Sequence, residues 1–468
     1  MRWACLFLVF ITSQVFSQDL PEVTALSPPD DAVVQIGEIT ISGNKVTRDM
    51  IVLREVEFKP GDQLTVEELK SRMKFSRNNL MNRALFNFVT ITPTYFGQSV
   101  DIHIEVTERW YIWPIPILNT AGRNLNAWLE DPDPGRLNYG IDLRINNFRG
   151  RMEVLNFLIQ GGYDQTLAAK WTIPYLNEKQ LLGTAVGGGY QRNHQIAYQT
   201  VDNKQVFYEA ISGYAQERAF ADVELTIRPQ FNLFHAFSLG FEHYIFQDTL
   251  LELNPHFAES TRYDFLTLSY TYKHDYRDYR PYPLVGYYFD VGIAKQGLGL
   301  TGSDIDYWTA SLTFDHYLNI HKRWYFAYSM SAMFNSTEKI PYFLTPGFGY
   351  PHWEIRGYEL YFIDGQDFGL FKSNLKFEII PPTTKRIKWI RTEKFGKIFY
   401  GLYANVFFDL GYAHDGFNYR TNTLANQLLW GTGIGIDFIT YYDLVIRLEA
   451  TVNKQGEFGV FVNLVAPI

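Results

Sequence analysis

The chain has 468 residues, with 42 Lys and Arg against 50 Asp and Glu and a formal net charge of −8. That balance argues against a nucleic-acid binder, which needs a basic footprint to neutralise phosphates. Hydrophobic residues make up 46% of the chain, yet mean hydropathy is −0.17, so apolar residues are diluted by polar ones and not gathered in blocks.

The N-terminus has the layout of a secretory signal. Met1-Arg2 is a short basic start, Ala4 to Ile11 is a compact apolar run, and Val15-Phe16-Ser17 offers a cleavage site before Gln18. The run is too short to span a bilayer, so residues 1–17 are expected to be a signal peptide. Cys5, the only cysteine, lies inside it, which leaves the mature chain without disulfide or thiol chemistry. No later stretch is long and apolar enough for a membrane helix. An exported chain that still enters a membrane must then be a closed barrel, the other solution that satisfies every backbone hydrogen bond.

Residues 33–108 mix helix and strand. Glu38-Ile39-Thr40-Ile41 alternates and stops at Ser42-Gly43-Asn44, a turn sequence. Thr47 is placed to cap a short helix through Val56, and Pro60-Gly61 makes the next turn. Thr65-Val66-Glu67-Glu68 has the form of a capping box, with Leu69 and Met73 following on one face. Val89 and Ile91, then Val100, Ile102, Ile104 and Val106, alternate with polar residues as two closing strands. The predicted order is β-α-α-β-β. Residues 109–136 follow as a linker, where Glu130, Asp131 and Asp133 are interleaved with Pro132 and Pro134.

From residue 137 to 468 the pattern is strands alone. Sixteen segments of alternating polarity are separated by turn residues. They begin with 137–148, 151–162, 165–176, 181–193 and 204–216, and end with 428–439, 443–453 and 457–466. The predicted fold is mainly β: an antiparallel transmembrane β-barrel of about sixteen strands, preceded by one small α/β domain. An even number suits a single-chain barrel with both ends on the periplasmic side. The alternation is clearest near the end. Leu402, Ala404, Val406, Phe408 and Leu410 share one face, and Tyr403, Asn405, Phe407 and Asp409 share the other. The connection at 338–366 is far longer than an ordinary loop and is expected to have a task.

Two resemblances bear on function. Ile39-Thr40-Ile41-Ser42-Gly43-Asn44, Pro60-Gly61, Leu85-Phe86-Asn87-Phe88-Val89 and Ile104-Glu105-Val106 together resemble a POTRA (polypeptide-transport-associated) domain. Glu354-Ile355-Arg356-Gly357-Tyr358, in the long connection, resembles the Val/Ile-Arg-Gly-Phe/Tyr motif of the BamA/TamA superfamily (bacterial surface antigen family). Phe407-Phe408-Asp409-Leu410-Gly411, on the fourth strand from the end, and Phe377-Glu378-Ile379-Ile380-Pro381 are similar to two further motifs of that family. His274-Asp275 with Arg277-Asp278, Pro281 and Gly286 resembles a mid-barrel strand–turn–strand.

The resemblance implies that the loop folds back into the lumen and that Arg356 pairs with acidic groups on the wall. Asp409 and Glu378 are the expected partners, Gly357 permits the tight turn, and Tyr358 packs on the wall. A guanidinium taken into a narrow lumen loses hydration and needs such a carboxylate. It also implies a gate at the seam between first and last strands, expected at 137–148 and 457–466, where Gly459 and Phe461 lie. The implied function is assembly of outer-membrane proteins or translocation of polypeptides. Its partners would be outer-membrane lipids, unfolded or extended polypeptides, and periplasmic chaperones or accessory subunits. The implied location is the outer membrane of a Gram-negative cell. Two departures stand out: there is room for one POTRA domain where assembly cores carry several, and Ala466-Pro467-Ile468 replaces the usual aromatic ending.

No catalytic constellation appears. Gly297-Leu298-Gly299-Leu300-Thr301-Gly302 has the letters of a dinucleotide fingerprint but is followed by alternating residues, not by the helix that would cradle a phosphate. The histidines lack ligand spacing and no Gly-x-Ser-x-Gly elbow is present. The chain is therefore expected to have no enzymatic activity, cofactor or metal. The alternative function is a passive diffusion channel, which would hold a steady open pore where a plugged barrel would not.

Overall fold

In a computed structural model, the described residues are 28–120, 137–349, 353–386, 397–416 and 421–464. The expected signal peptide, the acidic cluster at 130–133 and the Ala466-Pro467-Ile468 ending lie outside them. The N-terminal domain runs β1 (Val33–Ser42), α1 (Asp49–Leu53), β2 (Gln63–Thr65), α2 (Val66–Met81), β3 (Phe86–Phe96) and β4 (Ser99–Glu108). Its sheet has the order β2-β1-β4-β3, with β1 parallel to β4. The short β2 adds one strand to the predicted order. Leu69 and Leu80 of α2 pack with Ile36, Val100, Ile102 and Ile104 of the sheet as one apolar core.

The capping box forms as the sequence predicts: Glu68 N donates to Thr65 Oγ1 at 3.2 Å, and Thr65 N donates to Glu68 Oε2 at 3.1 Å. Thr47 does not cap α1, whose N-cap is Arg48. Its hydroxyl donates instead to Glu108 Oε1 at 2.7 Å, and its oxygen accepts from Asn147 Nδ2 at 2.8 Å, so the lone pairs a cap would use are engaged elsewhere.

The second unit is a sixteen-strand antiparallel sheet. Its strands are β5 (Ile112–Thr120), β6 (Leu137–Phe148), β7 (Glu153–Gly162), β8 (Gln165–Ile173) and β9 (Leu182–Asn193). A side hairpin, β10 (Gln195–Val201) and β11 (Lys204–Glu209), precedes β12 (Gln216–Gln230) and β13 (Leu233–Phe246). The one-turn helix α3 (Asp248–Leu253) leads to β14 (Arg262–Asp275), β15 (Gly286–Gln296), β16 (Tyr307–His321) and β17 (Trp324–Asn335). The long connection holds β18 (Gly347–Phe348) and β19 (Ile363–Asp364). After it come β20 (Asp367–Arg386), β21 (Lys397–His414), β22 (Leu429–Ile439), β23 (Val445–Asn453) and β24 (Phe458–Asn463).

The period-two faces separate cleanly. Val406, Phe408, Ile434, Ile436, Val460 and Val462 are exposed on the outer face, while Tyr403, Asn405, Phe407, Asp409, Asp437 and Glu449 are buried on the inner one. Apolar outside and polar inside suits lipid around a lumen. No described helix is long and apolar enough to cross a membrane; the crossing elements are the strands.

Two expected strands are corrected. The segment 204–216 is not a wall strand: its first part, β11, pairs with β10 in a separate two-stranded sheet. Alternation marks a strand but not its partner, and here the partner is local. The predicted linker 109–136, conversely, contains the first wall strand, β5, paired with β6 from Ile112↔Ile145 to Thr120↔Leu137. Pro114 and Pro116 hide it from sequence reasoning, since proline demotes a run unless the run lies at a sheet edge. The two errors cancel in the strand total.

Candidate functional site

The connection between β17 and β20 returns to the inner wall and seats Ile355, Arg356 and Tyr358 as buried residues against β20–β23. Arg356 Nε donates to Asp409 Oδ2 at 2.8 Å, Nη2 to Asp409 Oδ1 at 2.5 Å, and the backbone N of Arg356 to Asp409 Oδ2 at 3.1 Å. Nη1 reaches Glu449 Oε1 at 3.3 Å and Nη2 the carbonyl of Ser373 at 3.2 Å. The guanidinium lies 3.8 Å from the centroid of the Phe407 ring. Two carboxylates, a carbonyl and an aromatic face thus replace its lost water.

Asp409 is on β21 and Glu449 on β23, so Arg356 bridges across β22, a span of about 10 Å between alternate strands. The inward positions Gly431, Gly433 and Gly435 clear that path. A Cβ on Gly431 would stand 1.8 Å from the Arg356 carbonyl oxygen. Gly357 adopts φ +91°, and its carbonyl accepts from Asn453 Nδ2 at 2.9 Å. Lys454 N donates to the Tyr358 hydroxyl at 3.3 Å. Gly431→Val is expected to evict the loop and lower the temperature at which the folded band is lost in semi-native electrophoresis. An unchanged transition would mean that the loop is not held there.

Glu378 does not join this cluster. It lies six residues along β20 from Lys372, the cross-strand partner of Asp409, hence about 20 Å further down the wall. Its Oε2 accepts from the Tyr403 hydroxyl at 3.2 Å. A shared face says nothing about height along a strand, and the error is one of height. The second carboxylate, Glu449, was legible: on β23, Arg447, Glu449, Thr451 and Asn453 alternate with apolar residues as Asp409 does on its own strand. Next to it, Arg447 Nε donates to Asp437 Oδ1 at 2.8 Å, and Tyr282 Oη to Asp437 Oδ2 at 2.7 Å.

The N-terminal domain docks across the same end of the barrel as the short turns. Glu55 is its anchor. Arg228 Nη1 and Nη2, at the end of β12, donate to its two carboxylate oxygens at 2.6 and 2.7 Å, and Arg83 Nε lies 3.0 Å from Oε2. Tyr175 donates to Oε1 at 3.1 Å. Burial pushes the Glu55 carboxyl up, but Arg83 and Arg228 together outweigh it and bring it down to about 2. Further contacts reach the β6–β7 turn (Asn147 Nδ2 to Thr47 Oγ1, 2.8 Å), the β8–β9 connection (Gln180 Nε2 to Met50 O, 3.2 Å) and the β14–β15 turn (Asn82 Nδ2 to Arg277 O, 3.3 Å). At the β22–β23 turn Arg109 Nη1 and Nη2 donate to Asp443 Oδ2 and Oδ1 at 2.6 and 3.0 Å. Tyr442 and Asp443 both have positive φ, 58° and 65°, a strained turn held by that pair. Neither Glu55 nor Arg228 carries any sequence signal of this pairing.

His274 and Asp275 sit where β14 ends. Asp275 Oδ1 accepts from Arg277 Nε at 2.9 Å and its Oδ2 lies 2.8 Å from Arg280 Nε, which shapes the turn that meets Asn82. Among the described residues no group of three or more His, Cys, Asp or Glu is placed to hold a metal ion.

The seam is relocated. The ends of the sixteen-strand sheet are β5 and β24, and among the described residues no ladder joins them. The expected first strand, 137–148, is β6 and is paired on both sides. Gly459 and Phe461 do belong to the last strand, but their backbone groups face β23. The bond from Asn453 N to Glu457 O (3.2 Å) makes 457 a hydrogen-bonded position, and 459, 461 and 463 follow it by alternation. The groups facing the seam are those of Phe458, Val460 and Val462.

The POTRA family model (surface antigen variable number repeat) matches residues 34–109, and the Omp85 superfamily domain model matches residues 147–440. No curated protein matches the sequence significantly. Among solved structures, the chain is similar in fold to CdiB from Escherichia coli, at 12% identity and a TM-score of 0.54, over 92% of this chain and 75% of that one. BamA from Haemophilus ducreyi lacking POTRA domains 1-3 aligns at 14% identity and a TM-score of 0.49, over 92% of this chain and 83% of that one.

Proposed function

Because the chain belongs to the Omp85 superfamily of outer-membrane assembly and translocation barrels, we propose that it inserts or exports polypeptides through a barrel that is shut at rest. The observation that carries this reading is the buried Arg356, tied to Asp409 and Glu449 on two wall strands, with its loop inside the lumen. A loop held this way obstructs the bore, and the docked POTRA domain spans the opposite mouth. Neither feature serves a passive diffusion channel. Residues 33–108 face the periplasm, receive extended substrate and pass it to the barrel; strand addition at an edge of their four-stranded sheet is the recognition mode such a sheet offers. Arg356, Gly357, Tyr358, Asp409 and Glu449 form the lock that keeps the loop seated. The seam between β5 and β24, joined by no ladder among the described residues, is the gate.

Depletion of the protein followed by outer-membrane proteomics tests the reading. Broad loss of barrel proteins is the result expected of an assembly factor, and loss of a single protein that of a dedicated translocator. An unchanged proteome, together with a large steady conductance in planar bilayers, would mean a channel and would overturn the proposal.

A further inference from the structure

The periplasmic rim treats its cations in two ways. Arg149 is tied to Glu153, Arg228 to Glu55, Arg277 and Arg280 to Asp275, and Arg109 to Asp443. Lys322 and Arg323, in the β16–β17 turn, and Lys385 and Arg386, at the end of β20, are instead exposed. Among the described residues none of these four has an ion-pair partner. The only acidic residue of β20 beyond Phe377 is Glu378, and its carboxylate is turned to the lumenal Tyr403.

The four cations lie at the foot of an apolar groove. Trp324, first in β17, pairs with Phe377 of β20, their ring centroids 4.9 Å apart. From there a depression of about 600 Å³, the size of a small-molecule site, runs over the lipid face of β20–β24. Its cause is side-chain size. Ala404 sits between Phe377 and Ile436, and Ala450 between Ile434 and Val460, so single methyl groups stand among bulky neighbours.

Below the groove β20 and β21 continue as a ribbon. The β17 ladder ends at Trp324–Phe377 and the β22 ladder at Gly401–Ile439, yet β20 runs about 30 Å further, to Arg386. Lys385 stands on the lipid side of this ribbon. Its Nζ lies 5.7 Å from the centroid of the Tyr400 ring, and Tyr400 has the parity of Ala404 and Val406. Phe399 faces the other way, toward Tyr279. Tyr400 and Ala404 are about 13 Å apart along β21. That lies within one leaflet, half of a hydrocarbon core about 30 Å thick. A headgroup phosphate at Lys385 thus puts its acyl chain in the groove.

We propose, on the reading of the chain as an outer-membrane barrel with its POTRA domain in the periplasm, that this rim holds an anionic phospholipid of the periplasmic leaflet. One acyl chain lies over Ala404 and Ala450 against Trp324, and Lys322, Arg323, Lys385 and Arg386 hold the headgroup. Charge complementarity selects the ligand. Four unpaired cations attract a headgroup of net negative charge and gain little from a zwitterionic one, whose ammonium offsets its phosphate. The groove reaches Val460 on β24, so the bound lipid flanks the seam.

The test uses the full-length protein in phosphatidylcholine vesicles with a trace of diazirine-tailed phosphatidylglycerol or diazirine-tailed phosphatidylcholine. After irradiation, adducts are mapped by mass spectrometry. The expected result is labelling of 404–406 and 448–450 several-fold higher with phosphatidylglycerol, a preference that shrinks in high salt. The variant Lys322→Gln/Arg323→Gln/Lys385→Gln/Arg386→Gln, which alters exposed side chains only, is expected to lose the preference and keep the heat-resistant folded form. Filling the groove by Ala404→Leu is expected to lower phosphatidylglycerol labelling of 434–436 several-fold. Equal labelling by the two lipids in the unaltered protein would overturn the proposal and leave the cations to another partner, such as an acidic polypeptide. A preference that survives in the quadruple variant, or labelling unchanged by Ala404→Leu, would overturn it as well. In each of these cases the outer face is still labelled; absence of adducts from either lipid on any strand would remove the membrane-barrel reading itself.

Discussion

Replacing Arg356 by alanine is expected to lower sharply the temperature at which the folded barrel loses its compact electrophoretic form and to turn a closed barrel into a noisy, larger conductance. The physical cause is the state of the partners left behind. Asp409 and Glu449 are both buried on the inner wall, and each owes part of its compensation to the guanidinium. Removing one partner of a buried ion pair costs roughly 3–5 kcal/mol, because the other charge stays desolvated and unpaired. The loop also loses its seat over Phe407, and a desolvated cation–π contact adds about 2 kcal/mol or more. Arg356→Lys is expected to recover only part of the loss, since an ammonium cannot fork onto Asp409 while also reaching Glu449 and the Ser373 carbonyl. If alanine at 356 and alanine at 409 each left both the transition and the conductance unchanged, the lock would be refuted.

The second large effect lies at the other mouth. Glu55→Ala leaves Arg83 and Arg228 buried side by side with no carboxylate between them, with Arg54 nearby. Repulsion then adds to desolvation, and a loss of the same order, roughly 3–5 kcal/mol, raises the undocked population by about 10²-fold or more. Limited trypsin digestion reports it, because Arg109 is shielded by Asp443 and its neighbours only while the domain is docked. Digestion after Arg109 at the unaltered rate would show that Glu55 does not hold the domain. The same group gives a pH signature. Glu55 titrates near 4.5 when free and about 2 when docked. The docked state therefore binds fewer protons in that window, and its stability is complete above about 4.5 and is lost as pH falls toward 2. Cleavage after Arg109 is expected to accelerate on going from pH 6 to pH 3, measured with an acid-active protease or by hydrogen exchange across 109–112. In Glu55→Ala that dependence should be much reduced.

The line between what was legible and what was not follows the range of the interactions. Period-two polarity is a property of residues i and i+2, and it sufficed for the lipid and lumen faces, for the inward aim of Asp409, and for Glu449 had it been applied to β23. The capping box at Thr65 and Glu68 is equally local. Height along the wall is not local: Glu378 and Asp409 face the same lumen but meet different neighbours, because register between strands decides which row each joins. Pairing partners are not local either, which is why 204–209 alternates like a wall strand yet folds onto 195–201, and why 112–120 escaped notice behind its prolines.

By itself the amino-acid sequence determined the architecture of one small α/β domain before a barrel, the inward-facing Asp409 and the exceptional loop that carries Arg356, since each is written in short-range alternation or in a compact motif. Only the tertiary structure decided that Glu449 completes the arginine's shell and Glu378 does not, that Glu55 and Arg228 clamp the domain to the barrel, and that the seam lies between β5 and β24. Those outcomes depend on strand register and on where a curling sheet brings its two ends, and such long-range geometry arises from the whole ladder of hydrogen bonds and from no single segment of it.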